Sequence, residues 1–525
     1  MRYVLGTLGA ALLVVTYLLR SAFHDLLFFV YVHPALFEAF VVWLLIHVFV
    51  LRQVRGLMGL HRGAYQTTQH GQVELRSFHY RWLWWVSAPL LVVLLATGFL
   101  FGNGLSLVTL ASETTYHPVE TLPESGQSIR LMPREVAARY ARDALQLSQY
   151  RLGRSALVEQ DGELTWQFVL VPDGLVLKFT RPNLGLISVR ASTQQKNGRL
   201  LERPLAVGEG MLVMDNLWIR LYQHRFWVGT EKPYYVVRQE EQGTEVYTVV
   251  PAIAYSFRFR WGLLYTVPRF AGVFLVDSTG RIAFLEPEEA QRHPVTAGTR
   301  LYPEGLARLT AHAYAYRRGL TNKLFLHADQ VEIQDVPETE NRQPFLMQTQ
   351  EGMKWFVSTE PYGQSHGIFK IFLVDAVTGR VDLQELDAAA SLTGPVRALD
   401  YVRRANPIVD WSRFVLVEPL PFVRDGVLYW KVTVAPEDSA GIAYQAFVNS
   451  TDNAVTALET DQEIRAFVLG TRPPAATQPP APGVALPPGQ ALTPEQTQAL
   501  VEELRRRLRE MEALLDQLEH QAPPE

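Results

Sequence analysis

Long apolar runs dominate the first hundred residues of the chain, and alternating strand-like patterns fill most of the rest. Residues 3–19 and 82–102 carry no charged side chain, and residues 26–51 carry Glu38 as their only carboxylate. A helix needs about 20 apolar residues to cross a bilayer, and a helix satisfies its own backbone groups in lipid. The pattern therefore predicts three transmembrane helices in an anchor over residues 1–103.

Basic residues predict the orientation of this anchor. The segment 52–81 contains five arginines and one acidic residue, Glu74. Short loops rich in arginine stay in the cytoplasm. We therefore expect a protein of the cytoplasmic membrane with the N-terminus and the 52–81 loop inside and everything after about residue 103 outside. The lipid bilayer is the first expected partner.

Beyond the anchor, a helical pattern followed by a hairpin pattern occurs four times. In each copy a glycine turn precedes an aromatic residue by three or four positions, and the pairs are Gly162 with Trp166, Gly243 with Tyr247, Gly352 with Trp355, and Gly426 with Trp430. Asp-Gly between apolar runs is typical of hairpins, and self-similarity at a period of roughly 80 to 90 residues indicates one unit used repeatedly. The predicted fold class is α+β, with four tandem helix-plus-antiparallel-sheet units at 104–196, 197–298, 299–390 and 391–470. The four aromatic side chains are expected in the cores between helix and sheet.

Two of the strand runs end in nearly the same sequence. One is Phe274-Leu275-Val276-Asp277-Ser278-Thr279-Gly280-Arg281 and the other is Phe372-Leu373-Val374-Asp375-Ala376-Val377-Thr378-Gly379-Arg380. The order of helix, hairpin and closing strand, with this ending, resembles the PepSY module over roughly residues 130–462. The run from Phe78 to Gly98 is similar to the first helix of PepSY-associated membrane proteins. The resemblance implies small extracytoplasmic units that bind other proteins rather than catalyse. The two aspartates are expected to accept hydrogen bonds from the turns that follow them.

The C-terminal region predicts a linker and a helix. Residues 471–492 are rich in proline and alanine, which is typical of an extended spacer. Residues 493–520 then show apolar side chains at alternating spacings of three and four, namely Val501, Leu504, Leu508, Met511, Leu515 and Leu518. This seam predicts a short coiled coil. We expect homo-oligomerisation through 493–519, with a helix that packs back on its own chain as the alternative.

The composition excludes several kinds of chemistry. The chain has no cysteine, so disulfides and thiolate sites are excluded, and its net charge of −4 gives no sign of a nucleic-acid surface. Phosphate-binding loops, nucleophile elbows and zinc-protease motifs do not occur in the sequence. We expect a protein that is not an enzyme, and no catalytic residue or metal ligand is assigned.

The apolar region nevertheless contains candidate functional residues. His33 and His47 are 14 residues apart, which on one helix places them within about 40° of the same face and about 21 Å apart. With His79 they are possible haem ligands, because one helix that supplies a ligand to each of two haems has similar spacing. Glu38 is a functional candidate because an ionisable group in a membrane is costly. Its expected partner is a histidine or hydroxyl group on a neighbouring span.

The sequence thus favours a membrane-anchored extracytoplasmic scaffold or regulator. It would bind an unidentified envelope protein through the repeated units and would need no cofactor. A haem-bearing membrane redox protein is the alternative, and a module that controls a protease is a second alternative.

Overall fold

The computed structural model describes residues 20–59, 81–126, 128–160, 162–241, 243–336, 342–363, 367–387, 391–437 and 441–471. All of these ranges belong to one compact unit. The predicted first span at 3–19, the linker and the coiled-coil helix at 493–520 lie outside the described residues, as does His79.

Two long apolar helices occur in the described part of the chain, where the sequence predicted two of its three spans. The helices of the apolar region are α1 (His24–Val32), α2 (Pro34–Gly59) and α3 (Arg81–Glu113). Pro34–Gln53 and Trp85–Glu113 are long and apolar enough to cross a bilayer. The predicted single helix over 26–51 is wrong, because the chain breaks at Pro34, whose ring cannot continue the helix that precedes it.

The two long helices pack against each other in antiparallel fashion. The Trp43 indole nitrogen donates to the Ser87 carbonyl at 2.7 Å, and Gly98 and Gly102 face Ala35 closely enough that a side chain on either glycine would crowd it. Helix α3 also continues well past the predicted end at residue 102. Its last turns are buried against the second sheet and a later helix, through Tyr265, Val267 and Ala313, so one continuous helix joins the apolar region to the rest of the chain.

The remaining elements are, in chain order, β1 (Tyr116–Pro118), α4 (Arg134–Ala144), β2 (Tyr150–Gln160), β3 (Glu163–Pro172), α5 (Leu177–Thr180), β4 (Asn183–Arg190), β5 (Arg199–Leu205), α6 (Leu217–His224), β6 (Gly229–Thr230), β7 (Tyr234–Glu240), β8 (Gly243–Arg260), β9 (Leu263–Val276), β10 (Ile282–Leu285), α7 (Pro287–Arg292), α8 (Glu304–Ala313), α9 (Gly319–Thr321), β11 (Val331–Ile333), β12 (Phe345–Thr349), β13 (Gly352–Pro361), β14 (Gly367–Ile368), β15 (Lys370–Asp375), β16 (Val381–Glu385), β17 (Leu392–Thr393), α10 (Pro395–Ala405), β18 (Phe414–Arg424), β19 (Val427–Pro436), β20 (Tyr444–Asn449), β21 (Val455–Leu458) and α11 (Asp461–Val468). Short 3₁₀ or π turns cover Arg20–Phe23, Val213–Asp215, Tyr314–Tyr316, Asn322–Leu326 and Trp411–Arg413.

Antiparallel sheets make the fold a mixed α+β fold, as the sequence predicted. The first sheet has the order β2-β3-β4-β5 and the fourth has the order β18-β19-β20-β21. The second has the order β10-β9-β8-β6 with β7 also paired to β8, and the third has the order β1-β16-β15-β13-β11 with β12 also paired to β13. Strands β14 and β17 pair with each other alone. Strand β1, which directly follows α3, joins the third sheet in parallel with β16.

Three of the four aromatic residues predicted for the cores are buried. Trp166, Trp355 and Trp430 are 6%, 3% and 0% exposed, respectively. Tyr247 is only partly buried: it packs against a core cluster of the second sheet, and its hydroxyl donates to Glu240 Oε1 at 2.6 Å. A hydroxyl group favours a position where it keeps a polar partner.

The two aspartates that end the similar strand runs have the predicted structural role. Asp277 Oδ1 accepts the Arg281 backbone N–H at 3.0 Å, and Asp375 Oδ1 accepts the Thr378 backbone N–H at 2.7 Å. Both carboxylates therefore close a local turn.

Candidate functional site

A cavity of about 300 Å³ lies between the four main sheets. Its lining comes from β2 and β3 of the first sheet, from the segments that precede β7 and α8, from β12 and β13 of the third sheet, and from β18 of the fourth. The cationic residues that line it are Arg130, Arg134, Arg154, Lys232, Arg300 and Arg342, whereas the acidic residues in the lining are, among the residues that the structure describes, Glu304 and Glu418. Cations in excess around a partly enclosed space attract an anion more strongly than the same cations on a flat surface.

One wall of the cavity contains an arginine, a tryptophan and a buried carboxylate, here called the Arg130 station (Arg130, Trp166 and Glu418). Arg130 Nε lies 3.0 Å from Glu418 Oε2, and the Arg130 guanidinium lies 5.5 Å from the centre of the Trp166 ring. Glu418 Oε1 accepts the backbone N–H of Arg134, the first residue of α4, at 2.9 Å. A carboxylate at a helix N-terminus satisfies a free N–H and complements the helix dipole.

The backbone at Glu418 is left-handed, with a φ of 53°. It lies at a bulge where the register of β18 against β19 shifts between Val417 and Leu420. The bulge turns a side chain that is 1% exposed toward the start of α4. Left-handed backbone at a non-glycine residue is costly, and such sites are concentrated where a side chain must be aimed.

A related arrangement occurs around Arg300, here called the Arg300 station (Arg300, Trp355 and Glu231), in which the arginine and the tryptophan line the cavity and Glu231 does not. The Arg300 guanidinium lies 5.8 Å from the centre of the Trp355 ring and 5.0 Å from that of Tyr234. Glu231 Oε1 accepts the backbone N–H of Gly305, in the first turn of α8, at 3.0 Å. Arg300 Nε is buried and has no hydrogen-bond partner among the described residues, and the same holds for Nε and Nη2 of Arg130.

The same local sequence builds both stations. Arg130-Leu131-Met132-Pro133 precedes α4, and Arg300-Leu301-Tyr302-Pro303 precedes α8. The Trp166 indole donates to the Met132 carbonyl at 2.9 Å and the Trp355 indole to the Tyr302 carbonyl at 3.1 Å. The backbone N–H groups of Leu131 and Met132 both donate to the Ala191 carbonyl, and those of Leu301 and Tyr302 both donate to the Ala376 carbonyl. In each case the segment before the helix is held so that its arginine lies over the tryptophan.

The two stations differ in their surroundings. Behind the Arg130 station, Lys431 is 2% exposed, and its Nζ donates to Thr433 Oγ1 at 3.1 Å. Burial lowers the pKa of Lys431 to about 7, an effect that Glu418 partly offsets and Arg130 strengthens. At the Arg300 station the nearby lysine is Lys232, which is exposed. Burial raises the pKa of Glu231, and the adjacent Glu304 raises it further.

Glu38, the intramembrane candidate, has a partner that the sequence analysis did not predict. Its Oε2 accepts the backbone N–H of Leu264 at 2.9 Å. Leu264 belongs to β9, so Glu38 fixes the second sheet against α2 instead of bonding a side chain of a neighbouring span. A buried backbone N–H needs an acceptor, and Glu38 supplies it.

The histidines do not form a described cluster. His33 contacts the rings of Phe29 and Phe99, and the His47 ring stacks on Trp43 with centroids 5.2 Å apart. His24 is buried in the extramembrane part, where it stacks on Tyr222 and its Nε2 lies 3.0 Å from the Phe226 carbonyl oxygen. The described residues contain no group of three or more His, Asp or Glu side chains placed to hold a metal ion.

The sequence analysis missed the cavity because its lining is drawn from distant parts of the chain. The residues that matter most run from Arg130 to Glu418, and no spacing links them. A signal did exist. The repeated Arg-Leu-x-Pro before α4 and α8 would have pointed to two equivalent arginines.

Comparison with known proteins adds no identification. No protein-family model matches the chain, and the comparison with curated proteins gave no significant match.

Proposed function

We propose that the protein is a membrane-anchored extracytoplasmic scaffold that binds an acidic segment of an envelope partner protein in the basic cavity. The observation that carries this proposal is the convergence of six cationic side chains on one cavity whose described lining contains two acidic residues. One of the six lies on β2, one lies at the start of α4, and four lie in segments between elements. The membrane placement is supported by two helices long and apolar enough to cross a bilayer. The positive-inside pattern supports an N-terminus in the cytoplasm and a cavity outside it.

Four tandem PepSY-like units are the architecture proposed for the extramembrane part. The helices α4, α6, α8 and α10 each precede a set of antiparallel strands. The tryptophans of the first, third and fourth sets each donate to a carbonyl just before the preceding helix, and for Trp430 this is the Thr393 carbonyl at 2.6 Å. The shared hydrogen bond supports a common origin of these units. The second set departs from it through Tyr247.

An acidic peptide fits the cavity better than a simple ion. Apolar groups line the space between the arginines, among them Leu157, Pro344 and Leu346. Arginine presents a planar fork that pairs with a carboxylate through two hydrogen bonds, and five of the six cationic side chains in the lining are arginines. A peptide supplies both carboxylates and apolar contacts, and protein contact is also what the PepSY resemblance implies.

Calorimetric titration of the full chain in mild detergent tests this proposal. The probes are a hexaglutamate peptide and inorganic pyrophosphate, and the variant is Lys232→Gln with Arg300→Gln. We expect the wild type to bind hexaglutamate at least tenfold more tightly than the variant, with affinity falling as salt rises. The matched control is Arg292→Gln, since Arg292 is exposed on α7 outside the cavity. Equal binding by wild type and variant would refute the site, and binding of pyrophosphate alone would replace the acidic segment with a phosphate group.

Self-association through residues 493–519 is the second part of the proposal. The heptad seam from Val501 to Leu518 buries its apolar side chains only when another helix covers it. Deletion of 493–519 is therefore expected to lower the mass of the detergent-solubilised particle to that of one chain. An unchanged mass would remove the coiled coil from the account.

The alternative is a membrane redox protein with haem held by His33, His47 and His79. The observation that favours it is the 14-residue separation of two histidines: His33 lies directly before α2, and His47 lies within α2. A visible spectrum of the reduced protein from a haem-replete host decides between the alternatives, because bound haem gives a Soret band and sharp α and β bands. The protease-controlling alternative rests on the PepSY resemblance.

A further inference from the structure

The hairpin of β8 and β9 projects from the second sheet toward the start of α2. Its two strands pair as far as Arg260 with Leu263. Thr266 Oγ1 donates to the Val32 carbonyl at 2.6 Å, and the Leu264 N–H reaches Glu38, four residues into α2. A strand advances about 3.3 Å per residue, so the turn at Trp261 lies within about 10 Å of that contact. The tip of the hairpin therefore lies beside the first turns of α2.

The tip exposes aromatic side chains next to cations. Phe257, Phe259 and Trp261 are 45%, 70% and 75% exposed. Arg258 and Arg260 alternate with them in sequence, and the Arg260 guanidinium lies 4.5 Å from the centre of the Trp261 ring. Aromatic rings beside arginines are the composition of a membrane–water interface, and exposed apolar groups of this size mark a contact surface.

The backbone conformation at the tip is unfavourable for a tryptophan. Trp261 has a φ of 52° and Gly262 a φ of 82°, so both residues of the turn are left-handed. Asn, Asp and Gly are the residues that such two-residue turns favour, and a bulky side chain there is strained. The indole is solvent-exposed in the folded chain, so a contact outside the chain accounts for tryptophan at this position.

A second apolar protrusion lies at a similar level beside α3. The π turn after α9 exposes Leu324, Phe325 and Leu326 at 56%, 74% and 69%. Leu320, a few residues before it, packs so closely on Gly104 of α3 that a Cβ there would lie 2.6 Å from its side chain. Gly104 is two residues beyond Gly102, which faces the first turn of α2 at Ala35. Both protrusions therefore lie beside the place where α2 and α3 meet the rest of the chain.

We infer that the β8–β9 tip and the 324–326 turn insert into the headgroup layer of the bilayer in which α2 and α3 are anchored. This inference rests on the proposed membrane anchoring. Lipid is the occupant because the exposed rings adjoin the lipid-facing ends of α2 and α3, and because Arg260 and Lys323 suit anionic headgroups. The contact would hold the second sheet, and with it the cavity, at a fixed distance from the membrane.

Single-cysteine fluorescence tests the inference in the full chain, because the chain contains no cysteine of its own. The variants Trp261→Cys and Phe325→Cys carry an environment-sensitive NBD label, and the protein is reconstituted in vesicles of phosphatidylcholine and phosphatidylglycerol. Val48→Cys on α2, which is 50% exposed, reports the anchor, and Ile408→Cys, which is 96% exposed, reports water. We expect blue-shifted emission at positions 261 and 325, with quenching at least threefold stronger than at 408 by lipids that carry a quencher near the headgroup.

The controls separate the two proposals. Labels at 261 and 325 that behave like the label at 408, while the label at 48 is quenched by lipid, would overturn the insertion of the hairpin and leave the anchor intact. A label at 48 that also behaves as in water would overturn the anchor and the insertion with it. Because surface residues are changed at 261 and 325, the fold is checked by the unchanged fluorescence of the buried tryptophans.

Discussion

The Arg130 and Arg300 stations at the cavity combine the same three kinds of residue in different surroundings. At the Arg130 station, Glu418 is buried, its backbone is left-handed, and Lys431 lies behind it. At the Arg300 station, Glu231 is only partly buried and Lys232 is exposed. Each carboxylate accepts a backbone N–H from the first turn of a helix. We propose that this one arrangement serves two purposes, with the Arg130 station holding sheets together and the Arg300 station presenting cationic side chains to a ligand.

The difference has an energetic basis. A buried charge must be paired, and removal of its partner is far more costly than loss of an exposed pair. Arg130 is 7% exposed and depends on Glu418. Arg300 packs on two aromatic rings, and Nε of both arginines lacks a hydrogen bond within the described residues. We therefore expect a substitution at Arg300 to cost less stability than one at Arg130, because Arg130 is paired with a buried carboxylate.

The largest expected effect is that of Glu418→Gln. The change leaves the buried Arg130 without a counter-charge, so we expect the free energy of unfolding to fall by about 3–5 kcal/mol. Chemical unfolding of the detergent-solubilised chain, followed by tryptophan fluorescence, measures it. The double variant with Arg130→Met is expected to recover most of the loss, because it removes the unpaired charge. A loss below about 1 kcal/mol in the single variant would contradict a structural role for this station.

Lys431→Met is expected to change how stability depends on pH. The pKa of Lys431 is about 7 in the folded chain and near the ordinary lysine value of 10.5 when the chain is unfolded, so between these values the unfolded chain binds the extra proton. Wild-type stability should therefore rise with pH from about 7 toward 10.5, by up to about 1.4 kcal/mol per pH unit. The variant should lack this rise and be at least as stable at pH 7. Parallel stability curves for the two proteins from pH 7 to 9.5 would rule out the buried neutral lysine.

Glu231→Gln is expected to have the smallest effect, within about 1 kcal/mol at pH 7. Glutamine still accepts the Gly305 N–H. The folded pKa of Glu231 is raised above its unfolded value of 4.5, so the folded chain binds the proton more tightly and wild-type stability falls as pH rises above about 4.5. The variant removes that decline. Chemical unfolding of both proteins at pH 5 and pH 7 measures this difference in the free energy of unfolding. A loss of stability in Glu231→Gln as large as that in Glu418→Gln would make the two stations equivalent.

The sequence was sufficient for local structure and insufficient for the site. Periodicity and turn residues predicted the hairpins around Trp166, Trp355 and Trp430, because these depend on neighbours in the chain. The cavity depends on how the sheets pack, which brings Arg130 within 3.0 Å of Glu418 although 288 positions separate them in the printed sequence. Side-chain contacts of that kind leave no spacing in the sequence.

The prediction of the segments next to the apolar helices was incomplete for a different reason. The extended ends of β8 and β9, which carry exposed aromatic residues, were not predicted, because a pattern based on burial does not indicate where an aromatic residue is exposed. Glu38 was expected to bond a side chain, but its partner is the backbone N–H of Leu264. The residue types in a sequence do not indicate which distant backbone groups need an acceptor.

The most direct test of the anion-binding cavity is chemical modification of Lys232 with and without ligand. Lys232 lines the cavity and is exposed, so an amine-reactive acetylating reagent should label it in the free protein. Lys196, which is exposed and pairs with Asp143 outside the cavity, is the control. The account predicts that saturating hexaglutamate lowers acetylation of Lys232, measured by mass spectrometry, and leaves Lys196 unchanged. Equal acetylation of Lys232 with and without hexaglutamate would contradict binding in the cavity.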